Sequence, residues 1–187
     1  MQHKLKPVFT AALAAIFSWL IGGCAVSANF SSLPGAIERE TIRPYFTPSR
    51  GEKDVNVLIY RPQIRPQSRP AVIFLSGCDG GHHQIHREVA RQLHGRGVVM
   101  AEVQSIEALG SQCARPLLSG QDRTLHAFMA RDLLVSKGLA APDNVVLIGL
   151  SHGGWTVVHA AVGDTPPYAG PYIKDGRPFA AHVAIYP

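Results

Sequence analysis

A serine flanked by glycines constrains this sequence more than any other feature. Residues 149–153 read Gly-Leu-Ser-His-Gly and match G-x-S-x-G, in which a sharp turn between a strand and a helix exposes the serine hydroxyl. Residues 145–148 form a short apolar run typical of a buried strand, and residues 155–162 are typical of a helix. Glycine is required at both ends because a Cβ there would clash with the neighbouring chain. The motif therefore predicts a nucleophile elbow with Ser151 at its tip.

Strands alternate with helices along the rest of the chain. The pattern predicts strands at residues 55–60, 71–75, 97–103, 145–148 and 179–186, and helices at residues 83–94, 122–137 and 155–162. Such alternation implies parallel pairing through right-handed crossovers, hence an α/β fold with a doubly wound, mostly parallel sheet. The 46% hydrophobic and 17% charged residues are ordinary for a globular domain and exclude disorder, collagen and coiled coil.

A second glycine-rich turn, Ser-Gly-Cys-Asp-Gly-Gly at residues 76–81, follows the apolar strand at residues 71–75. In folds with a nucleophile elbow, a turn after an earlier strand supplies one oxyanion N–H. We expect the backbone N–H of Cys78 to be that donor. The backbone N–H of His152, which opens a helix, is the expected second donor. The alternative is a tight loop without a role, and a phosphate-binding loop is disfavoured because no Gly-Lys-Ser/Thr follows.

From about Val55 to Pro187 the sequence resembles the α/β-hydrolases, specifically the dienelactone hydrolase-like group. The shared features are the glycine-rich turn around Cys78, the strand start Arg96-Gly97-Val98, a downstream cysteine, a helix carrying Arg123 and Asp132, and the G-x-S-x-G-G elbow. The resemblance implies an α/β-hydrolase fold that cleaves small-molecule esters or lactones with Ser151 as nucleophile, without a cofactor or metal. Two departures are Ser76, where many relatives carry His, and Ser151 itself, where the name-giving enzymes use Cys.

The resemblance also implies that the acid and base of a Ser-Asp/Glu-His triad are absent. Members of the group carry both after two further strands, which would lie beyond Pro187, so the fold is expected to lack its C-terminal strands. Asp164 and His182 follow Ser151 in the required order. However, Asp164 lies in a Gly/Pro-rich connection and His182 lies inside an apolar strand. We therefore expect little or no turnover from this chain.

Two other histidines near the elbow are candidate bases. His152 occupies the position after Ser151, where the side chain usually points away from the nucleophile. His159 lies two helical turns beyond Ser151 and is expected at the helix surface. Neither is expected to take the Ser151 proton.

Cys78 and Cys113 are the two cysteines outside the N-terminal segment. A Cys78–Cys113 disulfide would tie the oxyanion turn to the loop after the strand at residues 97–103, in an oxidising compartment. Two buried free thiols are the alternative.

The N-terminus predicts export. Lys4 and Lys6 precede an uncharged apolar run at residues 7–21, and Ile-Gly-Gly-Cys at residues 21–24 resembles a lipobox that ends at the lipidated Cys24. Ordinary cleavage after Ala28 and an uncleaved 20-residue span are the alternatives. All three place the domain outside the cytoplasm, and the first gives a periplasmic or outer-membrane lipoprotein whose membrane contact is the lipid.

This interpretation divides the chain into a signal peptide at residues 1–23, a tether and first strand region at residues 24–50, and a partial α/β-hydrolase domain at residues 51–187. Removing the signal with its two lysines lowers the formal charge from +5 to +3. The remaining arginines are scattered, which argues against nucleic-acid binding.

His82 and His86 stand four residues apart at a predicted helix start, as two metal ligands could. No H-E-x-x-H motif is present and no acid is placed as a third ligand, so we interpret them as a solvated helix start rather than a metal site.

The sequence thus predicts an exported serine hydrolase of low activity. A catalytically dead lipoprotein that binds a ligand or partner is the main alternative. A secreted binding module with an accidental elbow is the third hypothesis.

Overall fold

The computed structural model describes residues 37–47, 51–64, 66–80, 83–110, 113, 118–167, 169–172 and 179–187. The strands in these ranges are β1 (Ile37–Ile42), β2 (Tyr45–Thr47), β3 (Gly51–Glu52), β4 (Val55–Tyr60), β5 (Ala71–Leu75), β6 (Val99–Val103), β7 (Val145–Leu150) and β8 (Ala181–Ile185). The helices are α1 (His83–His94), α2 (Ser105–Leu109), α3 (Gly120–Ser136) and α4 (His152–Ala161), with a 3-10 turn at Gly170–Tyr172. The predicted signal segment, the lipidation candidate Cys24 and His82 lie outside the described residues.

Six strands form one mostly parallel sheet in the order β1-β4-β6-β5-β7-β8. β6, β5, β7 and β8 are parallel, whereas β1 and β4 add antiparallel strands at one side. β2 and β3 form a separate hairpin. Every residue of β5 and β6 is buried, as expected for parallel strands covered on both faces.

Helices cover both faces of this sheet. One face packs against Ala90 and Leu93 of α1, and the other packs against Phe128 and Leu134 of α3 and Val157 of α4. The sheet is therefore doubly wound, as predicted. In the described ranges, no helix combines the length and apolar content needed to cross a membrane.

The sheet register places the two glycine-rich turns together. Leu75, the last residue of β5, pairs with Gly149 near the end of the neighbouring strand β7. Because these strands are parallel, the turns that leave their carboxyl ends lie side by side at one edge of the sheet. Ligand sites of open α/β sheets lie at this edge.

The predicted strands and helices are present with small differences at their ends. β6 begins at Val99 rather than at residue 97, and α4 begins at His152 rather than at residue 155, directly after the turn. α2 was not predicted, because its five residues are too few to show a helical period. The β2–β3 hairpin was not predicted either.

Candidate active site

Ser151 lies in a strained turn between β7 and α4. Its φ of 50° and ψ of −119° are rare for a residue other than glycine, and such a conformation costs about 1–3 kcal/mol. The Ser151 N–H donates to the carbonyl of Ile185 in β8 at 2.8 Å, and the Ser151 carbonyl accepts from the Trp155 N–H at 3.0 Å. Ser151 is exposed. The turn thus holds a solvent-accessible hydroxyl between two fixed elements.

Glycines permit the close approach on which this turn depends. A Cβ at Gly149 would overlap the carbonyl oxygen of Gly153. A Cβ at Gly153 would lie 2.6 Å from the carbonyl oxygen of Ser76 and overlap that of Leu75. Both glycines of the motif are therefore required by close contacts. Gly149 is packed against the backbone of the turn itself, and Gly153 is packed against the end of β5.

The turn after β5 lies against Ser151. An ideal Cβ at Gly77 would lie 3.6 Å from the Ser151 Cβ. Cys78, the next residue, is joined to Cys113 by a disulfide, with the Cα atoms 4.8 Å apart. The predicted pairing is thus present, and it ties this turn to the chain that follows α2. Ser76, the first residue of this turn, is buried.

The His152 side chain turns away from Ser151. Its Nδ1 lies 3.0 Å from Nη1 of Arg123, and its ring donates to the carbonyl of Leu118. Because arginine can only donate, Nδ1 is the acceptor and Nε2 carries the proton. Burial first, and then the Arg123 charge, lower the pKa of His152. The ring is therefore neutral near pH 7 and engaged at both nitrogens, while the His152 N–H remains in the first helical turn, where N–H groups lack intrahelical acceptors.

Arg123 is a fully buried cation on α3. Burial lowers the pKa of its guanidinium to about 10, and the charge of Glu107 acts in the opposite direction. The group is thus still charged at neutral pH. Nε and Nη2 have no hydrogen-bond partner among the described residues. In the sequence, Arg123 stands out only through the family resemblance described above. The spacing of residues around it indicates neither burial nor contact with His152.

Asp164 pairs with His159 rather than with His182. Asp164 Oδ2 lies 2.6 Å from Nδ1 of His159, and Oδ1 accepts from Nε2 of Gln121 at 2.7 Å. His159 lies eight residues beyond Ser151 on α4, roughly 12 Å along the helix axis. Asp164 thus links His159, at the end of α4, to Gln121, at the start of α3.

His182 is far from Ser151. It pairs with Leu147 in the sheet register, four residues before Ser151, which corresponds to roughly 13 Å along the strand. Its ring packs edge-on against Phe179 at a centroid distance of 5.7 Å, and burial lowers its pKa. A triad of Ser151, Asp164 and His182, which the residue order allows, does not form.

His86 corrects an expectation. It is fully buried rather than solvated, with Nδ1 2.9 Å from Oε1 of Glu102. The hydroxyl of Tyr60 donates to the other carboxylate oxygen at 3.1 Å. The physical reason is that α1 directs this side chain towards the sheet, where Phe74 packs against the ring. Among the described residues, no group of three His, Cys, Asp or Glu side chains is arranged to hold a metal.

Solved structures of esterase 2 from the Planctomycetes species Thermogutta terrifontis are similar to this chain. The native form aligns with a TM-score of 0.52 and 20% identity over 81% of this chain and 51% of that chain. The butyrate-bound form gives 0.52 and 18% over 80% and 53%. The form phosphorylated by paraoxon gives 0.50 and 17% over 79% and 56%.

This chain therefore spans about half the length of these esterase structures. No protein-family model and no curated protein matches it. The mostly parallel six-stranded sheet, the helices on both of its faces and the likeness to these structures show that the chain has an α/β-hydrolase fold.

Proposed function

We propose that this chain carries the nucleophile and the oxyanion-binding turns of a serine hydrolase of the dienelactone hydrolase-like type, which acts on carboxylic esters or lactones. The observation that carries the proposal is the strained, exposed Ser151 beside the turn after β5, with Gly77 next to its Cβ. A costly backbone conformation persists where the surrounding structure enforces it, and such sites are often functional. The likeness to an esterase fold agrees with this reaction class.

In the proposed reaction, Ser151 Oγ attacks the ester carbonyl carbon and its proton passes to a base. The carbonyl π electrons move to oxygen and give a tetrahedral oxyanion. Backbone N–H groups of His152 and Cys78 would donate to that oxygen, and one such donor contributes roughly 10²–10³ in rate. Collapse then expels the alkoxide, which takes a proton, and leaves an acyl ester on Ser151 for water to hydrolyse.

The base of this reaction is not among the described histidines near Ser151. His152 is held by Arg123 and Leu118, His159 is held by Asp164, and His182 lies four strand residues away. Removing a triad member costs several orders of magnitude in rate. We therefore propose that this chain by itself turns over esters slowly.

The lack of a base among the described histidines near Ser151 also favours an alternative function. On this hypothesis the chain is a catalytically dead α/β-hydrolase-like protein that binds a ligand or partner. On that hypothesis the strained turn is retained for binding rather than for acyl transfer. The two functions differ in whether Ser151 forms a covalent bond with an acyl or organophosphorus group.

We also propose that the protein is exported and anchored by a lipid on Cys24. The support is the basic start, the apolar run and the Ile-Gly-Gly-Cys pattern of the N-terminal segment. The Cys78–Cys113 disulfide agrees with an oxidising compartment.

The experiment is hydrolysis of p-nitrophenyl acetate by the chain, with Ser151→Ala and His182→Ala as variants. The expected result is a slow rate that Ser151→Ala abolishes and His182→Ala leaves unchanged. Fast hydrolysis abolished by both substitutions would restore the triad with His182. A rate that survives Ser151→Ala would remove Ser151 from the proposed chemistry.

A further inference from the structure

Arg123, a buried arginine, contacts the side chain of His152, the residue that follows Ser151. The guanidinium is fully buried on α3, and Nη1 donates to Nδ1 of His152 at 3.0 Å. Taking a charge out of water is unfavourable, and a neutral imidazole offsets less of that cost than a carboxylate does. A hydrophobic residue of similar volume would fill the same space without this cost. The contact therefore calls for an explanation other than stability.

The contact clamps the His152 ring from two sides. Arg123 donates to Nδ1, and the carbonyl of Leu118 accepts from the ring. Leu118 is followed by the N-cap of α3, where the Ser119 hydroxyl accepts from the Asp122 N–H at 3.0 Å and the Asp122 carboxylate accepts from the Ser119 N–H at 3.0 Å. Both partners of the ring thus lie at the capped N-terminal end of α3, Leu118 just before the N-cap and Arg123 within the helix.

The clamped residue is also the one that follows Ser151. Fixing the His152 ring fixes the start of α4 relative to α3, and with it the direction of the His152 backbone N–H. An oxyanion donor has to be held within about 0.5 Å of its productive position. His152 makes no other use of its side chain that would involve Ser151.

A carboxylate beside the turn after β5 interacts with Arg123. Glu107 of α2 acts electrostatically on Arg123. The Glu107 side chain also lies close to the turn after β5, because an ideal Cβ at Gly80 would lie 2.7 Å from Oε1 of Glu107. Gly80 belongs to the turn that contains Cys78 and contacts Ser151 through Gly77. Arg123 thus contacts the first residue of α4 and interacts electrostatically with a carboxylate that lies beside the turn after β5.

We propose that Arg123 is a positioning residue for the nucleophile turn, which acts through the His152 ring to orient the His152 backbone N–H beside Ser151. This inference rests on the proposed role of Ser151. It predicts that the turn depends on a hydrogen-bond donor at position 123 and on an acceptor at position 152, and not merely on filled volume.

Arg131 provides a matched control on the same helix. It is also fully buried, but it donates to the carbonyl of Pro142 at 2.6 Å and contacts Asp132, away from Ser151. Arg123→Met and Arg131→Met each remove one buried guanidinium from α3. A merely structural role would give the two variants the same effect on Ser151 after correction for the folded fraction.

The experiment measures the rate at which a fluorophosphonate labels Ser151, per folded molecule, in the wild-type chain and in variants. We expect Arg123→Met and His152→Phe each to slow labelling by at least about tenfold. The double variant is expected to be no slower than either single variant, since both remove the same contact. Arg123→Lys, which keeps a donor, is expected to recover part of the rate, and Arg131→Met to label within about twofold of wild type.

Nitrogen NMR of the His152 ring supplies a second readout that does not depend on reactivity. The wild-type ring is expected to carry its proton on Nε2 and to titrate below the ordinary range of histidine. In Arg123→Met the pKa of His152 is expected to rise and the His152 backbone amide signal to shift or broaden, whereas Arg131→Met leaves both unchanged.

The outcomes separate the inference from the proposed function. If wild type is not labelled but the NMR changes occur as expected, the nucleophile role of Ser151 fails while Arg123 is still shown to orient the turn. If Arg123→Met labels like wild type, or if the His152 signals do not respond to it, the positioning role is overturned.

Discussion

Nδ1 of His159 lies 2.6 Å from the carboxylate of Asp164, and this contact separates Asp164 from any arrangement with Ser151. The order of Ser151, Asp164 and His182 along the chain matches the order of a Ser-Asp-His triad. In the structure, Asp164 lies just beyond the C-terminal end of α4, where its carboxylate also accepts a hydrogen bond from Gln121. The turn that holds Ser151 is therefore formed without an acid–base pair from Asp164, His159 or His182 beside it.

Asp164→Asn tests this separation. The Asp164 and His159 side chains are about one-third exposed, and such pairs contribute up to about 1 kcal/mol. We expect a loss of that size in the free energy of unfolding, measured by urea denaturation, with Ser151 labelling unchanged. Labelling that falls as far as it does in Ser151→Ala would place Asp164 in the reaction after all.

Gly149→Ala tests the packing of the elbow. The added methyl group would overlap the Gly153 carbonyl, and backbone cannot move aside as a side chain can. We expect a loss of at least about 3 kcal/mol in unfolding free energy, in the range of severe single substitutions. Gly95→Ala is the control, because its Cβ would meet open space. Equal stability of the two variants would contradict the described turn.

The buried side chain of His126 should make the stability of the folded chain sensitive to acid. Its ring contacts the Ser105 hydroxyl at 2.8 Å, and burial, followed by the Arg123 charge, lowers its pKa to about 3. The unfolded chain binds this proton below about pH 6.5, whereas the folded chain does so only near pH 3. Stability is thus lost as pH falls through that window, at about 1.4 kcal/mol per pH unit.

The measurement is urea unfolding at pH 7, 6 and 5 for wild type and His126→Asn. Asparagine can still hydrogen-bond with Ser105 but does not titrate, so its stability should fall less steeply with acid. Equal slopes for the two proteins would show that His126 is not held neutral.

Reduction of the Cys78–Cys113 disulfide should weaken the fold and slow labelling. The bond closes a loop of 35 residues, for which chain entropy gives about 4 kcal/mol. Because the turn that contains Cys78 lies against Ser151, we expect both the melting temperature and the labelling rate to fall in reductant. A Cys78→Ser/Cys113→Ser variant should not respond to reductant. Recovery of the two cysteines in separate, unlinked peptides without reductant would disprove the bond.

The sheet and the elbow could be predicted because their signals are local. β5 and β7 are short apolar runs, and glycines end both of them in the sequence itself. The position of the turn after β5 beside Ser151 follows from parallel pairing of those strands, a general rule of α/β folds.

The buried polar contacts could not be predicted. Arg123 and His152 are 29 residues apart, and an arginine in a helix is normally exposed. The sequence predicts a solvated His86 because it offers no third metal ligand, whereas the structure pairs His86 with Glu102, 16 residues away, inside the fold. The His159–Asp164 pair did have a local signal, because Asp164 follows His159 by five residues just beyond the helix end.

The most direct test of the central claim is the mass of the intact chain after exposure to a fluorophosphonate, in wild type and in Ser151→Ala. A hydroxyl presented by a strained turn beside the proposed oxyanion donors should form one adduct per folded molecule, mapped to the peptide that contains Ser151. The Ser151→Ala chain should fold equally well and form none. A wild-type chain without an adduct, or an adduct that persists in Ser151→Ala, would contradict the claim that Ser151 is the nucleophile.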